Sequence, residues 1–234
     1  MLLNLLVVAP RGLLCACARS VPPAREGGID NSCGRGGGLA AGTHVGKLTG
    51  DKKEAGRLLS TLPDKSSGKL SRFLERYPVA SLKVGKTALR DAEGSYTNAT
   101  DTVAVRPTVE LGEAFASPGE FFDSDYAATF ENEEESLVAR QSAIFAHELG
   151  HHVHSWAEAE GEPRGRNSAA ERIDKAFARD SEKVSKYAGA DPLEYFAESF
   201  AAYHFNPDSL SGTARGMVEA VLEIAAHRLP RTQS

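Results

Sequence analysis

His147-Glu148-Leu149-Gly150-His151 decides how the rest of this chain is read. The string lies inside a helical pattern running from about Asn132 to about Trp156. On an α-helix, residues four apart share one face, one turn from each other. His147 and His151 can therefore offer two imidazoles to one metal ion. Glu148 follows the first of them directly, where its carboxylate can reach a water at the metal without ligating the metal. Two imidazole ligands, an open position and an adjacent carboxylate base are what zinc-assisted hydrolysis requires. The flanks Ala143-Ile144-Phe145-Ala146 and Leu149-Gly150 are apolar or small, which puts this part of the helix in the interior. Gly150 costs a helix interior about 1 kcal/mol relative to Ala. A site that needs close backbone approach would account for that cost.

The 234-residue chain carries a net charge of −5 and has a pI near 5.8. Phosphate recognition needs a basic surface, so nucleic acid is not expected as the main partner. A hydrophobic content of 41% suffices for a core. Cys15, Cys17 and Cys33 all fall near the N-terminus, so no disulfide framework is expected in the folded part. Leu2 to Ala9 is apolar apart from Asn4, and Ala16-Cys17-Ala18 resembles a small-residue cleavage site. No Lys or Arg precedes this run, however, and Pro10-Arg11 interrupts it, which argues against a signal peptide. The run is also too short to span a bilayer, and no membrane span is expected.

Residues 1–50 read as a disordered leader and linker, rich in Gly, Pro, Ser and Arg from residue 19 onward. The domain then runs over 51–234: a helical lead-in over 51–78, a core over 79–207 and a C-terminal helix over 208–234. Leu58, Leu59 and Leu62, then Leu70, Phe73, Leu74 and Tyr77, recur at helical spacing, and Pro63 and Pro78 stop the two helices. Val79 to Val84, Lys86 to Leu89, Ser95 to Thr97 and Thr102 to Arg106 read as strands, with a turn at Asp91 to Gly94. Phe115, Phe121, Phe122, Tyr126 and Phe130 stud an irregular segment and are expected to anchor it to the core. Asn132 and Glu135 form a capping box at the start of the motif helix. His152 points about 100° away from His151 and cannot share its metal. His154 is expected to be exposed. A polar loop over 158–165 leads to a helix capped by Asn167 and running from about Ser168 to Lys186, with Ile173, Phe177 and Val184 inward. Asp191-Pro192 opens a further helix that ends at Asn206-Pro207. The last helix spans about Thr213 to Arg228.

Two imidazoles need a third protein ligand, for which Glu194, Glu198 and His204 are the downstream candidates. Glu194 and Glu198 are four apart and share a face. Glu194 could ligate while Glu198 holds His147 or His151 through its other ring nitrogen, a bond that fixes the tautomer of a ligand imidazole. Phe196, Ala197, Phe200 and Ala201 surround both carboxylates, which a solvated helix face does not explain.

The three strings His147-Glu-Leu-Gly-His151, Tyr187-Ala-Gly and Glu194-Tyr-Phe-Ala-Glu198-Ser-Phe together resemble the lethal-factor-like zinc metallopeptidases, the type of the anthrax lethal factor catalytic domain. The resemblance covers roughly Val79 to Pro207. It implies one zinc per chain held by His147, His151 and Glu194, with Glu148 as the base. It also implies that Tyr187 steadies an oxyanion and that Glu198 supports a ligand from behind. Lethal factor's substrate does not carry over, because its substrate-recruiting domains are not part of the match.

The expected fold is α+β, a small antiparallel or mixed sheet packed on a helical zincin-type core with the motif on the central helix. The expected function is gluzincin-type endopeptidase, with a peptide or protein substrate. Members of this family occur in phage morphogenesis proteins and in bacterial toxins, so phage structural proteins are candidate partners; the sequence leaves the location open, a virion-associated or secreted setting being compatible with these roles. The alternative from another class is a zinc-stabilised structural or binding module of a phage particle with little turnover. A toxin effector protease is the other alternative.

Overall fold

The computed structural model describes residues 44–88, 92–107, 121–122, 126, 128–159, 168–180 and 183–227. The cysteines, the leader, Phe115, the cap at Asn167 and most of the polar loop lie outside them. The described residues form an α+β fold, mostly helical, with one four-stranded mixed sheet. The strands are β1 (Leu48–Gly50), β2 (Ser81–Val84), β3 (Gly94–Thr97) and β4 (Thr102–Val105), in the spatial order β1-β2-β4-β3. β1 and β4 each run parallel to β2, and β3 runs antiparallel to β4 at the edge. The six helices are α1 (Lys52–Thr61), α2 (Lys69–Arg76), α3 (Glu133–Ala159), α4 (Ala169–Arg179), α5 (Pro192–Phe205) and α6 (Gly212–His227).

Several expectations shift here. β1 lies within the stretch read as linker, and Val45 bridges Val79, so the linker boundary drawn at Gly50 is too late. Glycine-rich composition hid three residues that pair through their backbone alone, which composition does not report. Lys86 to Ala88 belong to no strand, and Gly94, expected in a turn, opens β3. α4 ends at Arg179, well before Lys186, where the Asp180 amide closes on the Ala176 carbonyl. Its N-cap is Ser168, whose hydroxyl accepts the Glu171 amide at 3.1 Å. α3 continues three residues past Trp156, into the stretch read as polar loop.

α3 starts where the capping box predicts. Asn132 Oδ1 accepts the Glu135 amide at 2.9 Å, while Glu135 reaches back to the Glu131 amide at 3.2 Å. Three glutamates in its first turn suit the positive end of the helix dipole. From Ala139 onward the helix is buried on nearly every side, so its second half carries no solvent face. α5 packs along it more extensively than any other element. Gly150 explains how close the two come: a Cβ there would meet Ala197 Cα at 2.8 Å and Phe200 Cβ at 3.3 Å. The cost of a mid-helix glycine is therefore offset by helix–helix approach. Leu58, Leu70, Phe73 and Leu82 are fully buried in the hydrophobic core. Phe121 and Phe122 are buried, and Phe122, Tyr126 and Phe130 form one ring cluster with centroids 4.9 to 5.6 Å apart, as the anchoring expectation had it. No helix among the described residues is long and apolar enough to cross a membrane.

Candidate metal centre

α3 and α5 bring the two motifs face to face. His147 Nε2 lies 3.3 Å and His151 Nε2 3.4 Å from one oxygen, Oε2 of Glu194. The three donor atoms all fall within 4.8 Å of one another, and all three residues are buried. Ligands held about 2.0–2.2 Å from a tetrahedral zinc stand roughly 3.3–3.4 Å apart, so both imidazole–carboxylate separations match the edges of such a polyhedron. Glu194 Oε2 has no hydrogen-bond partner among the described residues although it is buried. A buried carboxylate oxygen without a donor is costly. A cation between the three atoms removes that cost, and the residues present fit one.

Asp191 accepts the Glu194 amide at 2.9 Å and Pro192 occupies the first turn, which places Glu194 on the first turn of α5. Glu198, one turn on, is fully buried and accepts a hydrogen bond from His147 Nδ1 at 2.7 Å. A carboxylate accepts only, so Nδ1 of His147 carries the hydrogen and Nε2 faces Glu194. Glu198 Oε2 accepts in turn from the Ser185 hydroxyl at 2.9 Å. Of the three candidates for third ligand, the structure brings Glu194 to the imidazoles and puts Glu198 behind one of them. His204 lies elsewhere: its Nδ1 donates to the Pro63 carbonyl at 2.6 Å.

Burial works against a charge on His147, but the carboxylates of Glu194 and Glu198 outweigh it and push its pKa up to about 10. Burial likewise opposes ionisation of Glu194, yet the two imidazoles hold it well below the usual carboxylate range. Glu148 moves the other way. Burial raises its pKa, and the His147 and His151 imidazoles only partly counter this. A raised pKa makes a carboxylate a stronger base at neutral pH. Its side chain lies against the edge strand: a Cβ on Gly94 would come within 2.5 Å of Glu148 Oε1 and 2.8 Å of Ile144 Cγ2. Sequence reasoning treated Gly94 as a turn residue, and no local signal marks it as the wall of this carboxylate.

Tyr187 opens a short 3-10 turn, Tyr187–Gly189, and its ring sits 5.7 Å from that of His147. Burial and the nearby carboxylates, Glu194 first among them, raise its pKa. The phenol ring thus lies beside the imidazole of His147. His152 stays out of it: Nδ1 is bonded to Asp101 at 2.7 Å and Nε2 to the Tyr77 carbonyl at 2.9 Å. His154, expected to be exposed, is buried, with its pKa pushed down to about 4 by burial and by His151. The expectation failed because α3 has no solvent face at this point. Compared with protein-family models, curated proteins and solved structures, the chain matches none.

Proposed function

We propose that this chain is a zinc-dependent endopeptidase of the gluzincin type, with His147, His151 and Glu194 as metal ligands. The observation that carries the reading is the convergence of two imidazole nitrogens on one partnerless carboxylate oxygen at 3.3 and 3.4 Å, with a buried glutamate one residue from the first imidazole. The resemblance of the three motifs to lethal-factor-like metallopeptidases supports it, and the buried helical core around α3 suits a zincin-type architecture. Bound there, zinc would polarise a carbonyl oxygen and acidify a water beside it. Glu148 takes a proton from that water as its oxygen attacks the peptide carbon. As the C–N bond breaks, Glu148 returns the proton to the leaving amine. Tyr187 donates a hydrogen bond from its hydroxyl to the oxygen that gains charge. Glu198 holds the His147 tautomer that presents Nε2.

Glu148 and Tyr187 favour turnover over a purely structural metal, since neither is needed to hold the ion. Metal analysis of protein purified without added metal tests the site. Zinc at about one per chain, the load expected of a three-ligand site, supports the reading. Equal zinc in wild type and His147→Ala removes it. A proteome-wide cleavage profile with the purified protein then tests the activity and names the substrate class.

A further inference from the structure

Ser185 touches both halves of the centre. Its hydroxyl donates to Glu198 Oε2 at 2.9 Å and accepts the Ala188 amide at 2.9 Å. The first bond fixes a carboxylate whose other oxygen holds His147 Nδ1 at 2.7 Å. The second ties down the short turn that begins at Tyr187, whose ring lies 5.7 Å from that of His147. A serine hydroxyl offers one hydrogen and two lone pairs, and Glu198 can only accept, so both bonds form at once with their roles fixed. Hydrogen bonds to charged groups are the stronger ones.

We propose that Ser185 is a positioning residue, coupling the orientation of the His147 imidazole, through Glu198, to the placement of the Tyr187 hydroxyl beside the metal position. The kinetic part of the test rests on the peptidase reading; the binding and spectroscopic parts do not.

The experiment compares Ser185→Ala and Ser185→Thr in three backgrounds: wild type, Glu198→Gln and Tyr187→Phe. Zinc affinity is read by competition with a chelator, kcat on a cleaved peptide, and the His147 Nδ1 proton by NMR of metal-free protein. Ser185→Ala is expected to weaken zinc binding about 10-fold, the low end for loss of an outer partner. In the Glu198→Gln background the further loss should be under about 3-fold, because the pathway is already cut. Loss of a hydrogen bond to a charged group should likewise lower kcat about 10-fold in wild type. In the Tyr187→Phe background the further kcat loss should be under about 3-fold. Ser185→Thr keeps the hydroxyl and should restore both quantities. Equal losses in every background, no loss at all, or a threonine variant as impaired as the alanine one would overturn the proposal. If wild type binds zinc but cleaves nothing, the peptidase reading fails while the affinity cycle still decides on Ser185. If wild type binds no zinc, the Nδ1 resonance decides: a shift in Ser185→Ala supports the coupling, and an unchanged resonance overturns it.

Discussion

His147 and His152 stand five residues apart on α3, both buried, and each binds a carboxylate through Nδ1 at 2.7 Å. They differ at the other nitrogen. Nε2 of His152 is bonded to the Tyr77 carbonyl at 2.9 Å, so the whole ring serves packing and register. Nε2 of His147 faces a buried carboxylate oxygen that has no hydrogen-bond partner among the described residues. Asp101, the partner of His152, also accepts the Ala80 amide at 2.8 Å and the Tyr96 hydroxyl at 3.1 Å, which locks α3 to the sheet. Burial opposes its ionisation, but His152 and these donors hold its pKa below the ordinary aspartate value. A carboxylate–imidazole pair alone therefore does not mark a metal centre. What sets His147 apart is that its Nε2 and that of His151 converge on one oxygen of Glu194.

The sharpest way to break this contrast is to remove each ring. His147→Ala should take zinc from about one per chain to near zero, since one of three ligands is lost. His152→Ala should leave zinc near one but destabilise the fold by about 1–3 kcal/mol, because the buried Asp101 loses one of its donors. Metal analysis and urea unfolding measure the two. Comparable zinc loss in both variants would erase the distinction.

The next test exchanges the carboxylates. Glu198→Gln should weaken zinc binding about 10–100-fold, whereas Asp101→Asn should leave zinc affinity nearly unchanged and lower the unfolding midpoint. Chelator competition beside thermal unfolding separates them, and the reverse pattern would mean that Asp101, not Glu198, supports the ligand set.

A third imidazole gives the smallest effect. His204 has no carboxylate bonded to it; burial pushes its pKa down to about 4, against the bond from Nδ1 to Pro63. The folded state thus holds this ring neutral while the unfolded chain, with an ordinary value near 6.5, takes up a proton. Stability from this group is full above about pH 6.5 and falls as pH drops toward about 4. Between pH 7 and pH 5 the expected loss is about 2 kcal/mol. Urea unfolding of wild type and His204→Phe at both pH values should show a shallower pH slope in the variant; equal slopes would remove His204 as the cause.

What the sequence told in advance follows the range of the interactions involved. Ligand spacing on α3, the shared face of Glu194 and Glu198, and the Asp191-Pro192 helix start are local, and each lies where the pattern put it. Asp101 and His152 are 51 residues apart, and nothing near Asp101 in the chain signals its partners. Ser185 is a small polar residue in a loop, a type that composition assigns to solvent. His154 lies seven residues after His147, on the same stripe. Its burial was within reach of the helical period, but the expectation of a solvent face overrode it. β1 was missed because its pairing depends on backbone alone.

The account stands or falls on Glu148, a buried carboxylate against Gly94 whose proposed part is in proton transfer and not in holding the metal. The direct measurement is kcat on a cleaved peptide, with zinc content, for Glu148→Gln. Zinc should stay near one per chain while turnover falls by about 100-fold or more, the scale of a lost general base. Turnover retained in a variant that still carries its zinc would contradict the peptidase account.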